Sequence, residues 1–165
     1  MLLDISDLLK NPGGQMDFEC ELSLKQFDFQ QLGVSFEQPV SVKGELKNTG
    51  GVVVMEAKVQ GVYETCCDRC GEPISVPIAF TATEDFVKGT DVVNEGDAIQ
   101  LESHYIQLEE VIGENAFASI PLKNLCKEDC KGICQICGQN WNVGSCDCKE
   151  DNWDPRFDCL KGLFD

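Results

Sequence analysis

The sequence predicts an α+β fold, in which an antiparallel β-rich domain carries one packed helix and is followed by a cysteine-rich arm and a short C-terminal helix. Three observations predict it. Apolar and polar side chains alternate in several runs between residues 16 and 81, which is typical of half-buried strands. Apolar residues then recur at helical spacing near residues 107–120, and six of the eleven cysteines follow within residues 121–148. We therefore expect two domains, spanning residues 1–120 and 121–165.

The first half of the chain is predicted to form hairpins. Residues 1–14 are interpreted as a short apolar docking segment that stops at a Pro-Gly turn. Alternation over residues 16–24 predicts the first strand, with Cys20 packed in the core. A second strand over residues 40–46 and a third over 52–63 are separated by turn residues, which is the pattern of a β-hairpin.

The third strand leads directly into a cysteine turn and another strand. Residues 66–71 read Cys-Cys-Asp-Arg-Cys-Gly, so this turn is the tip of a hairpin whose second strand alternates over residues 74–81. Pro77 lies in that strand and predicts an edge or bulged position, because proline cannot donate to the ladder. The acidic residues 84–104 are expected to form a surface loop with one short strand near Ile99.

A helix over about residues 107–120 comes next, with an apolar face to pack across the sheet and glutamates on its other face. Pro121 ends this helix and begins the cysteine-rich arm. Near the C-terminus, Asp154 and Pro155 supply an N-cap and a first-turn proline, so a short terminal helix is expected there. The arm, with this helix packed on it, makes up the second predicted domain.

Eight cysteines form four closely spaced pairs. Two pairs have the spacing Cys-x-x-Cys followed by glycine, which accepts the positive φ that turns backbone amides toward sulfur. The other two pairs are separated by three residues and by one residue. The pairs are Cys67 with Cys70, Cys126 with Cys130, Cys134 with Cys137, and Cys146 with Cys148. Thiolates at these spacings converge on one cation, so the sequence predicts two zinc ions, each held by four cysteines, that staple the arm.

The four pairs can be grouped into two sites in three ways. Loop closure favours joining the third pair to the fourth, because only eight residues intervene. The first two pairs would then form the other site and close a long loop. One ligand stays open, because Cys66 with Cys70 is also a usable pair, in place of Cys67. Cysteines that are simply buried thiols are the alternative that this spacing disfavours.

The chain lacks the sequence features of enzymes that use cysteine or zinc. A redox Cys-x-x-Cys is expected at a helix N-terminus in a βαβ unit, a context that neither motif has. Catalytic zinc keeps an open position beside histidine or carboxylate ligands, and the single histidine, His104, is interpreted as an ordinary loop residue. Phosphate-binding glycine motifs do not occur. We therefore expect a protein that is not an enzyme and has no small-molecule substrate.

Composition indicates an ordinary folded protein in a reducing compartment. Hydrophobic residues make up 42% of the 165 residues, the N-terminus lacks the basic and apolar regions of a signal peptide, and no apolar run is long enough to cross a bilayer. We therefore expect a cytoplasmic location without membrane contact. The net charge of −16 opposes attraction to nucleic acid and favours basic protein partners.

The charge is unevenly distributed along the chain. Residues 119–149 hold four lysines against three acids, a balance of +1 that leaves −17 for the rest. If RNA is contacted directly, the cysteine-rich region is therefore expected to supply the phosphate contacts. The candidates are Lys123, Lys127 and Lys131, with Arg69 from the hairpin tip.

The order of these motifs resembles one bacterial family. The motifs are Cys-Asp-Arg-Cys at 67–70, Ile-Pro-Leu at 120–122, Leu125-Cys126, Cys130-Lys131-Gly132, Cys134, Cys137-Gly138 with Asn140 and Asn142, Cys146, Cys148, and Asp-Pro-Arg at 154–156. From about residue 15 onward the chain is similar to the YceD-type large ribosomal RNA subunit accumulation proteins. The resemblance implies a non-enzymatic role in the accumulation of large-subunit ribosomal RNA. It also implies the grouping that loop closure favours, since some members lack counterparts of the last four cysteines, and it leaves Cys66 outside the family pattern.

Three functions compete at this point. The first is a cytoplasmic ribosome-biogenesis factor that acts on large-subunit precursors, by binding their ribosomal RNA or a basic ribosomal or assembly protein. The second is a zinc-dependent, redox-switched chaperone or regulator, in which oxidation expels zinc and unfolds the arm. The third is a zinc-ribbon transcription regulator. The resemblance favours the first.

Overall fold

The computed structural model divides into two compact units. It describes residues 1–88 and 98–148. The first unit, which we call the sheet unit, consists of Met1–Cys66 and Pro73–Asn124. The second, the cysteine unit, consists of Cys67–Glu72 and the described part of Leu125–Asp165. The hairpin tip, which the sequence analysis assigns to the first domain, is thus grouped with the cysteine-rich arm.

The sheet unit is built on a five-stranded sheet. In chain order the elements are β1 (Leu2–Asp4), α1 (Ser6–Lys10), β2 (Gln15–Leu22), a 3-10 turn (Gln30–Leu32), β3 (Val40–Asn48), β4 (Val52–Cys66), β5 (Pro73–Lys88), β6 (Ile99–Leu101), β7 (Tyr105–Gln107) and α2 (Leu108–Ser119). The strands β2 to β6 lie side by side in that order, antiparallel from β2 to β5, whereas β6 runs parallel to β5. The sheet is therefore mixed and not wholly antiparallel as predicted, because side-chain alternation predicts a strand but not the direction in which it pairs.

The longest elements form one hairpin. β4 and β5 contain 15 and 16 residues and pair without a break from Val52 to Cys66 of β4. Both predicted strands stop short of these ends, and residues 84–88, which begin with two acidic residues and were expected in a loop, continue β5. They stay in the strand because Phe86 and Val87 are only 1% and 5% exposed, which anchors this end of the strand in the protein interior.

Pro77 lies at an open edge of the sheet, as its missing backbone N–H predicts. On one side it pairs with Val62 of β4. On the other side β6 pairs only with Phe86–Lys88, so among the described residues the preceding part of β5 has no second neighbour. A proline at such an edge hinders the addition of a further strand.

The helix α2 packs its apolar face into the core of the sheet unit. Leu108, Ile112 and Ala116 are fully buried, while the glutamates on the opposite face are exposed. Gly113 lies against the ring of Phe27, and a Cβ atom at this position would overlap the ring carbons. The helix bounds agree with the predicted range, and the glycine allows the segment that carries Phe27 to approach closely.

The N-terminal segment forms two short elements of the sheet unit. β1 pairs antiparallel with β7, and Ile5 and Leu8 are buried in the same core as α2. The buried side chain of Asn48 donates from Nδ2 to the carbonyl of Leu8 over 2.8 Å. The predicted docking segment is therefore part of the sheet unit, and it contains a short helix, α1, that the sequence does not predict.

Two single residues of the sheet unit have the surroundings that the sequence predicts. Cys20 packs against the core, and burial raises the pKa of its thiol. His104 is exposed, with its Nε2 atom 3.2 Å from Nζ of Lys88.

Part of the prediction falls outside the described residues. The C-terminal helix expected from Asp154 and Pro155 lies in residues 149–165, which the structure does not describe. Over residues 1–88 and 98–148, none of the helices combines the length and the apolar content that a membrane span requires.

Candidate metal centres

Four side chains of the cysteine unit converge in a first cluster, which we call site 1. Its members are Cys67, Cys70, Cys126 and Cys130, whose sulfur atoms all lie within 4.8 Å of one another. The Sγ atoms of Cys67 and Cys130 are 3.8 Å apart, and those of Cys70 and Cys126 are 3.7 Å apart. A tetrahedral zinc ion with Zn–S bonds of about 2.3 Å places its ligands about 3.8 Å apart, so the cluster has the size of a zinc site. These separations are far longer than a disulfide bond of about 2.05 Å.

The hairpin tip positions one half of site 1. Gly71 donates its backbone N–H to the carbonyl of Cys67, and Cys67 donates its own to the carbonyl of Glu72, both over 2.8 Å. Gly71 has a φ of +73°, which glycine adopts at little cost. The resulting turn directs the backbone N–H groups of Arg69 and Cys70 toward the sulfur of Cys67.

Both segments of the cysteine unit hold the other half of site 1. Cys130 donates its backbone N–H to the carbonyl of Lys127 over 3.1 Å. Its own carbonyl accepts a hydrogen bond from Nη1 of Arg69 over 2.8 Å. Gly132, with a φ of +77°, lies against the carbonyl of Arg69, where a Cβ atom would come within 3.1 Å of the oxygen. The Sγ atom of Cys130 accepts a hydrogen bond from Nδ2 of Asn142 over 3.3 Å.

The thiols of site 1 divide between low and high pKa values. Burial opposes ionisation of Cys67, but the backbone amides of Cys126 and Arg69 outweigh it and lower the pKa to about 6. Burial also opposes ionisation of Cys130, and the side-chain N–H of Asn142 helps to hold its pKa below the usual value. Cys126 is an exposed residue, but the partial loss of water around its sulfur and the neighbouring sulfur of Cys130 raise its pKa to about 12. A metal-free cluster therefore keeps protons that a divalent cation would displace.

The cysteines of the arm alone form a second cluster, site 2. Its members are Cys134, Cys137, Cys146 and Cys148, with all sulfur atoms within 4.8 Å of one another. The turn repeats the pattern of site 1, because Gly138 donates to the carbonyl of Cys134 and Cys134 donates to the carbonyl of Gln139, each over 2.9 Å. Gly138 has a φ of +74°. The backbone N–H of Ile136 points at the sulfur of Cys134, at 3.4 Å.

Trp141 anchors the second half of site 2. Its indole N–H hydrogen-bonds to Cys146, and this bond, with the backbone amide of Cys148, lowers the pKa of Cys146 to about 7. The neighbouring sulfur of Cys137, together with burial, raises the pKa of Cys148 to about 12. The backbone N–H of Trp141 donates to the carbonyl of Gly132 over 2.9 Å, so this residue also contacts the loop that follows site 1.

The structure shows one of the three groupings that the sequence leaves open, the one that loop closure favours. Cys66 is exposed and belongs to neither cluster, whereas Cys67 is 2% exposed and lies in site 1. Each cluster offers four sulfur donors, which complete a tetrahedral shell and suit a structural ion better than a catalytic one. The chain therefore contains two four-cysteine groups that can hold metal ions.

The basic residues predicted to contact RNA have different surroundings. Lys123 and Lys131 are exposed. Lys127 is also exposed, and its Nζ atom lies 3.9 Å from Oδ1 of Asp129. The guanidinium of Arg69 donates to a backbone carbonyl at site 1, which gives it a structural contact that the sequence analysis does not anticipate.

Two further residues of the centres escape prediction from spacing. Asn142 donates to a sulfur of site 1, although it lies in the chain between the two cysteine pairs of site 2. Trp141 donates to a sulfur of site 2. Their position after a Cys-x-x-Cys-Gly turn is a weak signal, because many residues of such a loop face solvent.

Most of the chain matches a known protein family. The family model described as "Large ribosomal RNA subunit accumulation protein YceD" matches residues 55–164, a stretch that contains both clusters. The chain is 24% identical to "Uncharacterized protein YlbN" of Bacillus subtilis (strain 168), over 97% of this chain and 94% of that protein.

Two plant proteins are also similar. Both are called "Large ribosomal RNA subunit accumulation protein YCED homolog 1, chloroplastic". The protein of Arabidopsis thaliana is 25% identical over 76% of this chain and 48% of its own length. The protein of Zea mays is 26% identical over 88% of this chain and 60% of its own length. No solved structure matches the chain.

Proposed function

The chain belongs to the family of YceD large ribosomal RNA subunit accumulation proteins, and from this membership we propose that it promotes the accumulation of large-subunit ribosomal RNA as a non-enzymatic assembly factor. The observation that carries the proposal is the family match over residues 55–164, which includes all eight cysteines of sites 1 and 2. The two chloroplast relatives are likewise named large ribosomal RNA subunit accumulation proteins. We place its action in the bacterial cytoplasm, where large-subunit precursors are assembled.

We propose two zinc ions as structural cofactors, one in each site. Four thiolates in a tetrahedral arrangement are a donor set that suits zinc. Bound zinc would supply folding free energy and no chemistry. At site 1 it would join Cys70 to Cys126, which lie 56 residues apart in the chain. At site 2 it would staple the arm, on which the C-terminal helix is expected to pack.

The charge of the sheet favours a basic protein as the direct partner. Strand pairing places Asp17, Glu45 and Glu56 in one row across β2, β3 and β4. Like charges opposite one another on a sheet are unfavourable. Lys47 pairs with Glu45, whereas Asp17 and Glu56 are exposed. A ribosomal or assembly protein rich in lysine and arginine would relieve this repulsion, and the net charge of −16 would draw it toward the chain.

Direct binding of ribosomal RNA is the other route to the same function. Its proposed phosphate contacts are Arg69, Lys123, Lys127 and Lys131. Lys123 belongs to the sheet unit, and the other three are the only basic side chains among the described residues of the cysteine unit, which carry five acidic ones. RNA binding there would therefore depend on individual contacts, since the unit lacks the excess of positive charge that draws proteins to nucleic acid.

Depletion and affinity capture test the proposed function. Cells depleted of the protein should lose 23S ribosomal RNA and large subunits relative to small subunits. Full-length tagged protein should capture large-subunit precursors, and identification of both RNA and protein in the captured material separates the two routes. A normal ratio of subunits in depleted cells would contradict the proposal.

A zinc-dependent, redox-switched chaperone or regulator is the second candidate. The thiols of Cys126 and Cys137 are exposed, so an oxidant has access to one ligand of each site. Oxidation of paired thiolates to disulfides by a peroxide would expel zinc and unfold the arm. Peroxide sensitivity of depleted cells, with normal ribosomes, would favour this function over assembly.

A further inference from the structure

One loop of the cysteine unit contacts both metal centres. Residues 139–142 lie between the two cysteine pairs of site 2. From this loop the carbonyl of Gln139 accepts the backbone N–H of Cys134 of site 2 over 2.9 Å. From the same loop, Nδ2 of Asn142 donates to Sγ of Cys130 of site 1 over 3.3 Å. The two sites are thus linked through one short loop.

Asn142 is held in one orientation by hydrogen bonds at both ends of its amide. Its Oδ1 accepts the backbone N–H of Lys131 over 3.0 Å. Its Nδ2 donates both to the sulfur of Cys130 and to Oδ1 of Asn140, the latter over 2.9 Å. Because the oxygen already accepts from a backbone donor, the nitrogen faces the sulfur. Asn142 therefore stabilises the thiolate form of Cys130, which is the form that binds metal.

Asn140 extends the contact to the hairpin tip. Its Oδ1 accepts the backbone N–H of Asn142 over 2.9 Å, and its Nδ2 donates to Oε1 of Glu72 over 3.2 Å. The carbonyl of Glu72 in turn accepts the backbone N–H of Cys67, a member of site 1, over 2.8 Å. The loop therefore touches both of the chain segments that supply ligands to site 1.

We infer that Asn142 couples the two centres, so that zinc at site 2 increases the affinity of site 1 for zinc. The inference rests on the proposed zinc occupancy of both sites. Zinc at site 2 restrains the loop at both ends, and the restrained loop presents Asn142 to Cys130. Without zinc at site 2, ordering the loop costs conformational entropy that opposes zinc binding at site 1. By linkage, zinc at site 1 raises the affinity of site 2 by the same factor.

Zinc titration of the full chain against a chelating indicator, under reducing conditions, tests the coupling. Trp141 fluorescence, measured in a Trp153→Phe background, reports loading of site 2 and so assigns the two binding steps. A variant with Cys146→Ser and Cys148→Ser lacks site 2. Its site 1 should bind zinc about 10-fold to 100-fold more weakly than site 1 of the intact chain, the usual size of an outer-shell contribution.

Changes at Asn142, combined with the loss of site 2, form a double-mutant cycle. Asn142→Ala should weaken site 1 by a similar factor in the intact chain, and by much less in the variant without site 2. Asn142→Asp is the sharper change, because its carboxylate still accepts from Lys131 but cannot donate to sulfur. It should weaken site 1 at least as much as the alanine does, without altering any ligand. Gln135→Ala, an exposed change in the same unit, is the matched control.

The outcomes separate this inference from the proposed zinc sites. If the intact chain binds two zinc ions, but site 1 has the same affinity for zinc with and without site 2, the coupling is wrong and the two zinc sites are still supported. Unchanged affinity in both Asn142 variants would overturn it as well. An intact, reduced chain that binds no zinc would overturn both the coupling and the sites.

Discussion

The guanidinium of Arg69 and the backbone carbonyl of Cys130 form a hydrogen bond of 2.8 Å between residues that lie 61 positions apart in the chain. The same nitrogen lies 3.4 Å from the carbonyl of Glu128, and Gly132 packs against the carbonyl of Arg69. Arg69 therefore contacts the loop around Cys130 through both its side chain and its backbone. Arg69, which the sequence predicts as a phosphate contact, therefore also stabilises site 1.

Replacing Arg69 by lysine should lower the stability of the zinc-loaded protein by about 1 kcal/mol, the usual net value of a hydrogen bond. Both carbonyls are approached by Nη1, whose two N–H groups are fixed in the guanidinium plane, and lysine keeps the charge without this fixed geometry. Denaturant melts measure the free energy of unfolding, and Lys127→Arg exchanges the same two residue types elsewhere in the unit as a control. An equal free energy of unfolding for Arg69→Lys and the parent protein would contradict a structural role of Arg69.

Loss of site 1 should destabilise the protein more than loss of site 2. Site 1 joins residues 56 positions apart, whereas eight residues separate the two pairs of site 2, so site 1 restrains far more of the unfolded chain. Cys70→Ser should therefore lower the denaturant midpoint more than Cys146→Ser, when both variants are melted in excess zinc. Equal or reversed effects would show that closure of the long loop does not control stability.

The strands were predictable because each has one buried face. In β4, Val53, Met55 and Ala57 are at most 1% exposed, and the residues between them are more exposed, which gives the period of two. The end of β5 was not predictable in this way. Its acidic residues resemble a loop, but Phe86 and Val87 beside them are buried, and this end of the strand pairs with both β4 and β6. The direction of β6 likewise depends on its neighbour and not on its own three residues.

Cysteine spacing predicted the two groups that the structure brings together, because ligands two to four positions apart can face a common point. The residues around the sulfur atoms were not predictable from spacing. Asn142 reaches Cys130 across 12 positions and Arg69 reaches it across 61. Such contacts depend on how the loops fold together, and the positions of Asn142 and Arg69 beside cysteine motifs do not by themselves say which atoms they contact.

Metal analysis of protein purified under reducing conditions should find about two zinc ions per chain. Cys66→Ser should leave this number unchanged, because Cys66 belongs to neither cluster. Cys67→Ser should reduce it to one, since three sulfur ligands then remain at site 1. Reduced protein without bound zinc would contradict both sites, and loss of zinc from Cys66→Ser would contradict the assignment of Cys67 as the ligand.

Tyr63 and Asn124 form a buried hydrogen bond that should stabilise the sheet unit. The hydroxyl of Tyr63 donates to Oδ1 of Asn124 over 2.7 Å, and the two residues are 1% and 8% exposed. Tyr63→Phe removes the donor and keeps the ring, so it should lower the free energy of unfolding by about 1–2 kcal/mol. Tyr105→Phe, at a residue that is 47% exposed, should have little effect on the same melt. An unchanged free energy of unfolding in Tyr63→Phe would show that this hydrogen bond does not contribute to stability.

The last prediction separates the two routes by which the protein could reach large-subunit precursors. Lys123, Lys127 and Lys131 are exposed, and a triple change to glutamate reverses three charges without altering a metal ligand. If these lysines contact phosphate, RNA binding should weaken, and removing each contact singly should reduce the salt dependence of affinity by roughly one unit, because fewer counterions are released. A basic protein partner bound to the acidic face of the sheet should be captured as before.

Asp17→Lys with Glu56→Lys provides the complementary variant, since it reverses two exposed charges in the acidic row of the sheet and leaves the lysines intact. If the protein route operates, this variant should fail to capture the partner protein. It should also lose the ribosomal RNA that is captured through that protein. Zinc content should stay unchanged in both variants, which excludes damage to the centres. If the triple lysine variant captures ribosomal RNA as well as the parent protein does, direct recognition by these lysines is contradicted. The accumulation of large-subunit RNA would then have to depend on a contact elsewhere, for which the acidic row is the next surface to test.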